Sequence, residues 1–223
     1  MGTLYYGDNL DILRAHIADE SVDLVYLDPP FNSNASYNVL FKAPDGHESH
    51  AQMEAFEDTW HWNETAERAF DDVMQSGNTD AAEMLRAMRS FLHDNDMMAY
   101  LAMMSVRLIE LHRILKGTGT IYLHCDSTAS HYLKLLLDAI FEPVHYRNEI
   151  IWKRSNPKSL GSVNFPNCTD TILRYSKSGK VTFSQPYEAH DPDYVESAYK
   201  YSDNGGVYRL LPLLNPNDNR PNL

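Results

Sequence analysis

The chain has 223 residues, 43% hydrophobic and 11% aromatic, enough to bury a sizeable core, and a formal net charge of −12. No apolar run approaches the roughly 18–20 residues of a membrane span, the start Met1-Gly2-Thr3-Leu4 has neither a basic region nor a cleavage site, and Cys125 and Cys168 form no Cys-x-x-Cys pair. These features disfavour a membrane protein, a disulfide framework, a metal site and whole-surface attraction to phosphates, and a cytoplasmic location is expected.

Leu4-Tyr5-Tyr6-Gly7-Asp8 reads as a short strand closed by a Gly-Asp turn, after which Leu10, Leu13 and Ile17 recur at helical spacing with Asp8 or Asn9 as the cap. The apolar run 22–27 predicts a second strand, making a strand, helix, strand unit with Asp8 and Asp28 at neighbouring carboxyl ends. Asp28-Pro29-Pro30-Phe31-Asn32 then puts a carboxylate, a rigid double proline and an aromatic ring where α/β sheets bind ligands. That set suits chemistry on a planar amine, whose lone pair is delocalised into its ring. Asp28 and the Pro29 carbonyl would accept its two protons, the fixed φ of Pro30 would hold the turn, and Phe31 would stack on a base swung out of a duplex.

Residues 32–62 show no period and read as a long loop, a lid over that site, with Trp60 and Trp62 as anchors on the core. His47, His50 and His61 lie near Asp45 and Glu48, but no second cluster completes a metal shell. Helices are predicted over 63–74 and 79–91, with Gly77-Asn78 as the break, and another through Leu101, Met104, Leu108, Leu111 and Leu115, closed by Lys116-Gly117. A strand at 120–124 leads through Cys125-Asp126-Ser127 into a helix bearing Leu133, Leu136, Leu137, Ile140 and Phe141. His124, Cys125 and Asp126 look like a catalytic set, but adjacent side chains diverge, and Asp126 or Ser127 reads as an N-cap. Strands follow at 149–153 and 171–175, with a short one at 181–183. Beyond 185 five of the eleven prolines mark irregular chain with at most one helix, near 194–201.

Charge is uneven. Residues 43–83 hold eleven acidic side chains against Arg68 alone, a solvated face. Residues 147–180 hold seven basic ones against Glu149 and Asp170, so Lys153, Arg154 and Lys158 are candidates for DNA phosphate contacts.

Together, Tyr6-Gly7-Asp8-Asn9-Leu10, Ser21-Val22-Asp23-Leu24, Asp28-Pro29-Pro30-Phe31-Asn32, residues 115–126 and Asn148-Glu149-Ile150-Ile151-Trp152-Lys153 resemble the amino-terminal half of bacterial DNA methyltransferases that modify exocyclic amines, in the permuted (beta-class) arrangement. The resemblance implies a doubly wound, mixed α/β sheet of the Rossmann-like methyltransferase type, incomplete at its carboxyl end. It implies S-adenosylmethionine as donor, DNA as substrate, and transfer to N6 of adenine, since relatives acting on N4 of cytosine usually carry serine at position 28. Asp28, Pro29, Pro30 and Phe31 map onto the family's catalytic motif, Asp28 also lining the cofactor site, and Asp8 onto the carboxylate that binds the cofactor's adenine.

The family's glycine-rich cofactor loop has only Asp203-Asn204-Gly205-Gly206 as a counterpart, with no apolar strand before it and no helix after it. The expected organisation is a catalytic half, 1–184, and an irregular segment, 185–223, that starts a DNA-recognition region or is a truncated tail. Two alternatives stay open: a non-catalytic nucleic-acid-binding half-domain completed by a partner, whether a second copy or a carboxyl-terminal half, and a methyltransferase for RNA or other amines.

Overall fold

Within residues 22–27 Val22, Val25 and Leu27 are half-buried and Asp23, Leu24 and Tyr26 exposed, and an extended segment buries one side only when it joins a sheet. A computed structural model of the protein describes residues 2–29, 36–39, 53–57, 60–154 and 168–210. In it, β1 (Val22–Leu27) pairs in parallel with the later strand Leu115–Cys125. Chain order runs α1 (Asn9–His16), β1, β2 (Ser36–Val39), β3 (Met53–Glu57), α2 (Glu64–Gln75), α3 (Thr79–Leu92), α4 (Asp96–Ile114), β4 (Leu115–Cys125), α5 (Ser130–Phe141), β5 (Tyr146–Lys153), β6 (Thr169–Ser176), α6 (Pro192–Ala198), β7 (Tyr201–Asp203) and β8 (Gly206–Tyr208). The main sheet has the order β1-β4-β6-β5, with β1 parallel to β4 and the other two pairs antiparallel. It is a mixed α/β sheet, open at its edges.

Helix starts are set by side-chain caps. Asp8 accepts from Leu10 N at 2.8 Å, Asn63 from Thr65 N and Ala66 N, Asn78 from Ala81 N, and Asn95 from Met98 N, each satisfying amide groups that the first turn leaves open. α4 is buried without interruption from Met98 to Val106 and forms the centre of the core, packing against α1, α2, α3 and α5. Ile121, Leu123, Leu173 and Tyr175 present the inner face of the sheet to this core. Trp60 packs beside Tyr100, while Trp62 donates to Glu67 and lies under the Arg89 guanidinium at 4.3 Å; both indoles anchor the chain that enters α2.

Several expectations change. Residues 2–6 form no strand: among the described residues they belong to no sheet, and a segment outside a sheet gains no ladder bonds. Within 32–62, β2 and β3 form an antiparallel ribbon; the rest of that segment lies largely outside the described residues. α4 ends at Ile114 and passes directly into β4, so Lys116-Gly117 belong to the strand, at the irregular register between β1 and β4. Thr182 N bonds Thr118 O, but among the described residues 181–183 join no ladder. The chain divides into units 1–182 and 183–223, and the second contains α6 and the β7–β8 hairpin. No helix among the described residues is long and apolar enough to cross a membrane.

Candidate active site

Sheet register assembles the site. Tyr26 lies opposite Tyr122 and Leu27 opposite Leu123, so the chain leaves β1 at Asp28 alongside His124 of β4. Alternation along β4 sends His124 to the face carrying Tyr122 and turns Cys125 into the core. On the antiparallel neighbour β6, Ile172 opposes His124, and Asp170, two residues away, shares that face.

The side chains meet accordingly. Asp28 Oδ1 is 3.1 Å from His124 Nδ1, and His124 Nε2 is 3.3 Å from Asp170 Oδ2. Exposure falls along the series, from 60% at the Asp28 side chain to 17% at His124 and 5% at Asp170. Arg154 donates from Nε and Nη2 to the two Asp170 oxygens, and its own amide bonds Cys168 O at 2.7 Å. The planar guanidinium matches a carboxylate in this two-point geometry and compensates a negative charge that would otherwise be buried alone. Pro29, next to Asp28, is buried; Pro30, Phe31 and Lys158 lie outside the described residues.

Asp8 sits at the N-cap of α1, where both its oxygens also contact Arg107 Nη2 at 2.7 and 2.8 Å. It borders a cleft of about 740 Å³ lined by Leu10, Trp60, Ala99, Met103 and Arg107 among others. Asn204 and Gly205 turn the β7–β8 hairpin and Gly206 opens β8; among the described residues no helix follows.

Cys125 is fully buried, and its Sγ lies 3.5 Å from Thr171 O. Burial, reinforced by Asp126, Asp170 and Glu149, pushes its thiol up to about 12, which makes it inert as a nucleophile. Asp126 accepts from Thr128 N at 2.9 Å, closing the turn before α5, whose N-cap Ala129 makes no side-chain capping bond; the expected Asp126 or Ser127 cap is absent because the helix starts later. His61 contacts Asp96 at 3.0 Å.

Much of the basic stretch is engaged internally. Arg147 bonds Ser176, Arg174 is buried and bonds Asn148, Lys177 bonds the Arg113 and Leu115 carbonyls at the end of α4, and Arg154 holds Asp170. Lys153 and Lys180 remain exposed. His124 is the residue that sequence reasoning set aside: its partners come from the end of β1 and from β6, on either side of β4, and only the register reveals them.

A family model described as DNA methylase matches residues 22–221. The Mod subunit of the type III restriction-modification enzyme StyLTI of Salmonella typhimurium (strain LT2) is 29% identical over 213 residues, covering 93% of this chain and 29% of that protein. The type II methyltransferase M.EcaI of Enterobacter cloacae is 26% identical over 213 residues, covering 96% and 37%. The chain thus spans about a third of the length of these curated relatives. The crystal structure of an M1.HpyAVI-SAM complex is 12% identical with a TM-score of 0.40, covering 84% of this chain and 60% of that one.

Proposed function

The chain belongs to the DNA methylase family, and from that premise we propose that the whole protein transfers a methyl group from S-adenosylmethionine to the exocyclic amine of a DNA base, N6 of adenine. The observation that carries the reading is the Asp28 carboxylate, solvent-accessible at the carboxyl end of β1 yet tethered by His124. Aspartate rather than serine at this position supports adenine as the target.

The amine nitrogen donates its two protons to Asp28 and the Pro29 carbonyl. These bonds draw electron density onto nitrogen and favour tetrahedral over planar geometry, so the lone pair becomes available for attack. After transfer the nitrogen carries a positive charge, and Asp28 Oδ takes up the proton it loses. A stacked base cannot reach a strand end, so the target is flipped out of the duplex, with Phe31 as its stacking partner and Lys153 among the phosphate contacts. S-adenosylmethionine supplies a methyl on cationic sulfur when bound. Asp8 beside its cleft fits one end of that donor, but the described residues hold no glycine-rich strand-to-helix loop, so they do not by themselves cradle it.

Leu24 and Tyr26 on β1 and Ile150 and Trp152 on β5 are exposed on the face opposite the core. A completing protein segment, the other half of the domain, has this face to cover. Incubation of the full-length protein with DNA and S-adenosylmethionine, followed by nucleoside mass spectrometry, tests the reading. N6-methyladenine is the expected product; N4-methylcytosine would overturn the target, and methylation of RNA but not DNA would overturn the substrate.

A further inference from the structure

We infer that His124 is a positioning residue for this reaction: clamped from behind by Asp170 and Arg154, it fixes the Asp28 carboxylate in the orientation that receives the amine proton. The inference rests on the reading of Asp28 given above.

An aspartate 60% exposed at the end of a strand is free to rotate about both side-chain torsions, and an acceptor that must meet one N–H of a flipped base loses rate with every misorientation. At 3.1 Å, the His124 Nδ1 contact engages one carboxylate oxygen and leaves the other for the amine. The ring is itself held. It is 17% exposed, rises from an inner strand rather than from a loop, and has its far nitrogen 3.3 Å from Asp170 Oδ2. Asp170 is in turn gripped at both oxygens by Arg154. The series Asp28, His124, Asp170 therefore runs from solvent into the protein, and Asp170 is held there by a side chain that is permanently cationic. Four residues from β1's exit, β4, β6 and β5's exit converge through the strand register: His124 and Asp170 lie in paired strands, Asp28 follows the last β1–β4 pair, and Arg154 is held by its amide bond to Cys168 O. A merely structural histidine would not need its nearer nitrogen on the one exposed carboxylate of the catalytic motif.

The test uses the full-length protein with duplex DNA and S-adenosylmethionine, read as the single-turnover methyl-transfer rate at saturation, the KM for DNA and the unfolding midpoint. His124→Leu removes both contacts; His124→Asn keeps an N–H donor at the position of Nδ1. The expected result is a rate reduced roughly 10- to 100-fold in His124→Leu, with KM and midpoint little changed, and recovery of most of that loss in His124→Asn. Wild-type rate in His124→Leu overturns the inference, and so does equal impairment of the two variants. Should His124→Leu fail to fold, Asp170→Asn leaves the ring in place and loosens the clamp. A several-fold slower rate supports the inference and an unchanged rate overturns it. An inactive wild-type protein brings down the functional reading and this inference together, whereas an active one indifferent to His124 overturns this inference alone.

Discussion

Gly119→Ala probes the joint that sets the site's register. A Cβ at position 119 would stand 2.9 Å from Leu115 Cδ2, 2.9 Å from Lys116 O and 3.2 Å from Val22 O. The leucine methyl can turn aside, but the two carbonyls belong to the irregular pairing where β1 joins β4, and they move only if the strands do. Overpacking of this kind costs about 1–3 kcal/mol. Gly117, two residues earlier, has nothing within 4 Å of an added Cβ, and alanine there is expected to be neutral or to stabilise by about 0.4–1 kcal/mol through the unfolded chain. The two variants should therefore differ by about 1–4 kcal/mol in urea unfolding. The three tryptophans, 60, 62 and 152, all lie in the 1–182 unit, so their fluorescence follows it. Equal midpoints for Gly119→Ala and Gly117→Ala would refute the close approach, and with it the register that brings Asp28 to His124.

Asp8→Ala removes a helix cap and an ion pair and should destabilise the protein by about 1 kcal/mol, measured by the same unfolding experiment. In the folded protein a thiol reagent at pH 8 should leave Cys125 unmodified, and peptide mapping should find it labelled only after denaturation. The Cys125 thiol ionises at about 12 when folded against an ordinary 9.0, so the unfolded state loses its proton first. The stability this contributes is intact below pH 9 and declines as pH rises from there toward 12; Tyr175, raised by burial and its bond to Asp138, acts in the same direction from 10 upward. A Cys125→Ala variant should show a shallower decline between pH 9 and 12.

Local signals were readable in the chain. The apolar run 22–27 became β1 with the same bounds, and the Asn78 cap after Gly77, which has φ +81°, separates α2 from α3 as their composition indicates. α4 was legible from Leu101 onward, but not at its first turn. Between Met98 and Val106 it is buried on every side, which blurs the contrast between an apolar and a polar face, and its start at Asp96 shows only as an Asn cap. Lys116-Gly117 looks like a helix end because a basic residue and a glycine suit one; a strand irregularity uses the same residues. Asp28 could be found because a strand end is a local pattern. His124 could not, since its significance depends on which strands lie beside β4. Charge alone made Arg154 a candidate for phosphate contact, whereas its partner Asp170 is visible only once β5 and β6 pair.

The account turns on Asp28 as the acceptor that activates the amine. The decisive measurement is the single-turnover methyl-transfer rate of full-length Asp28→Ala on DNA, with DNA affinity measured alongside. A loss of about 10²- to 10⁴-fold with affinity unchanged is the predicted result, and transfer at the wild-type rate would contradict it.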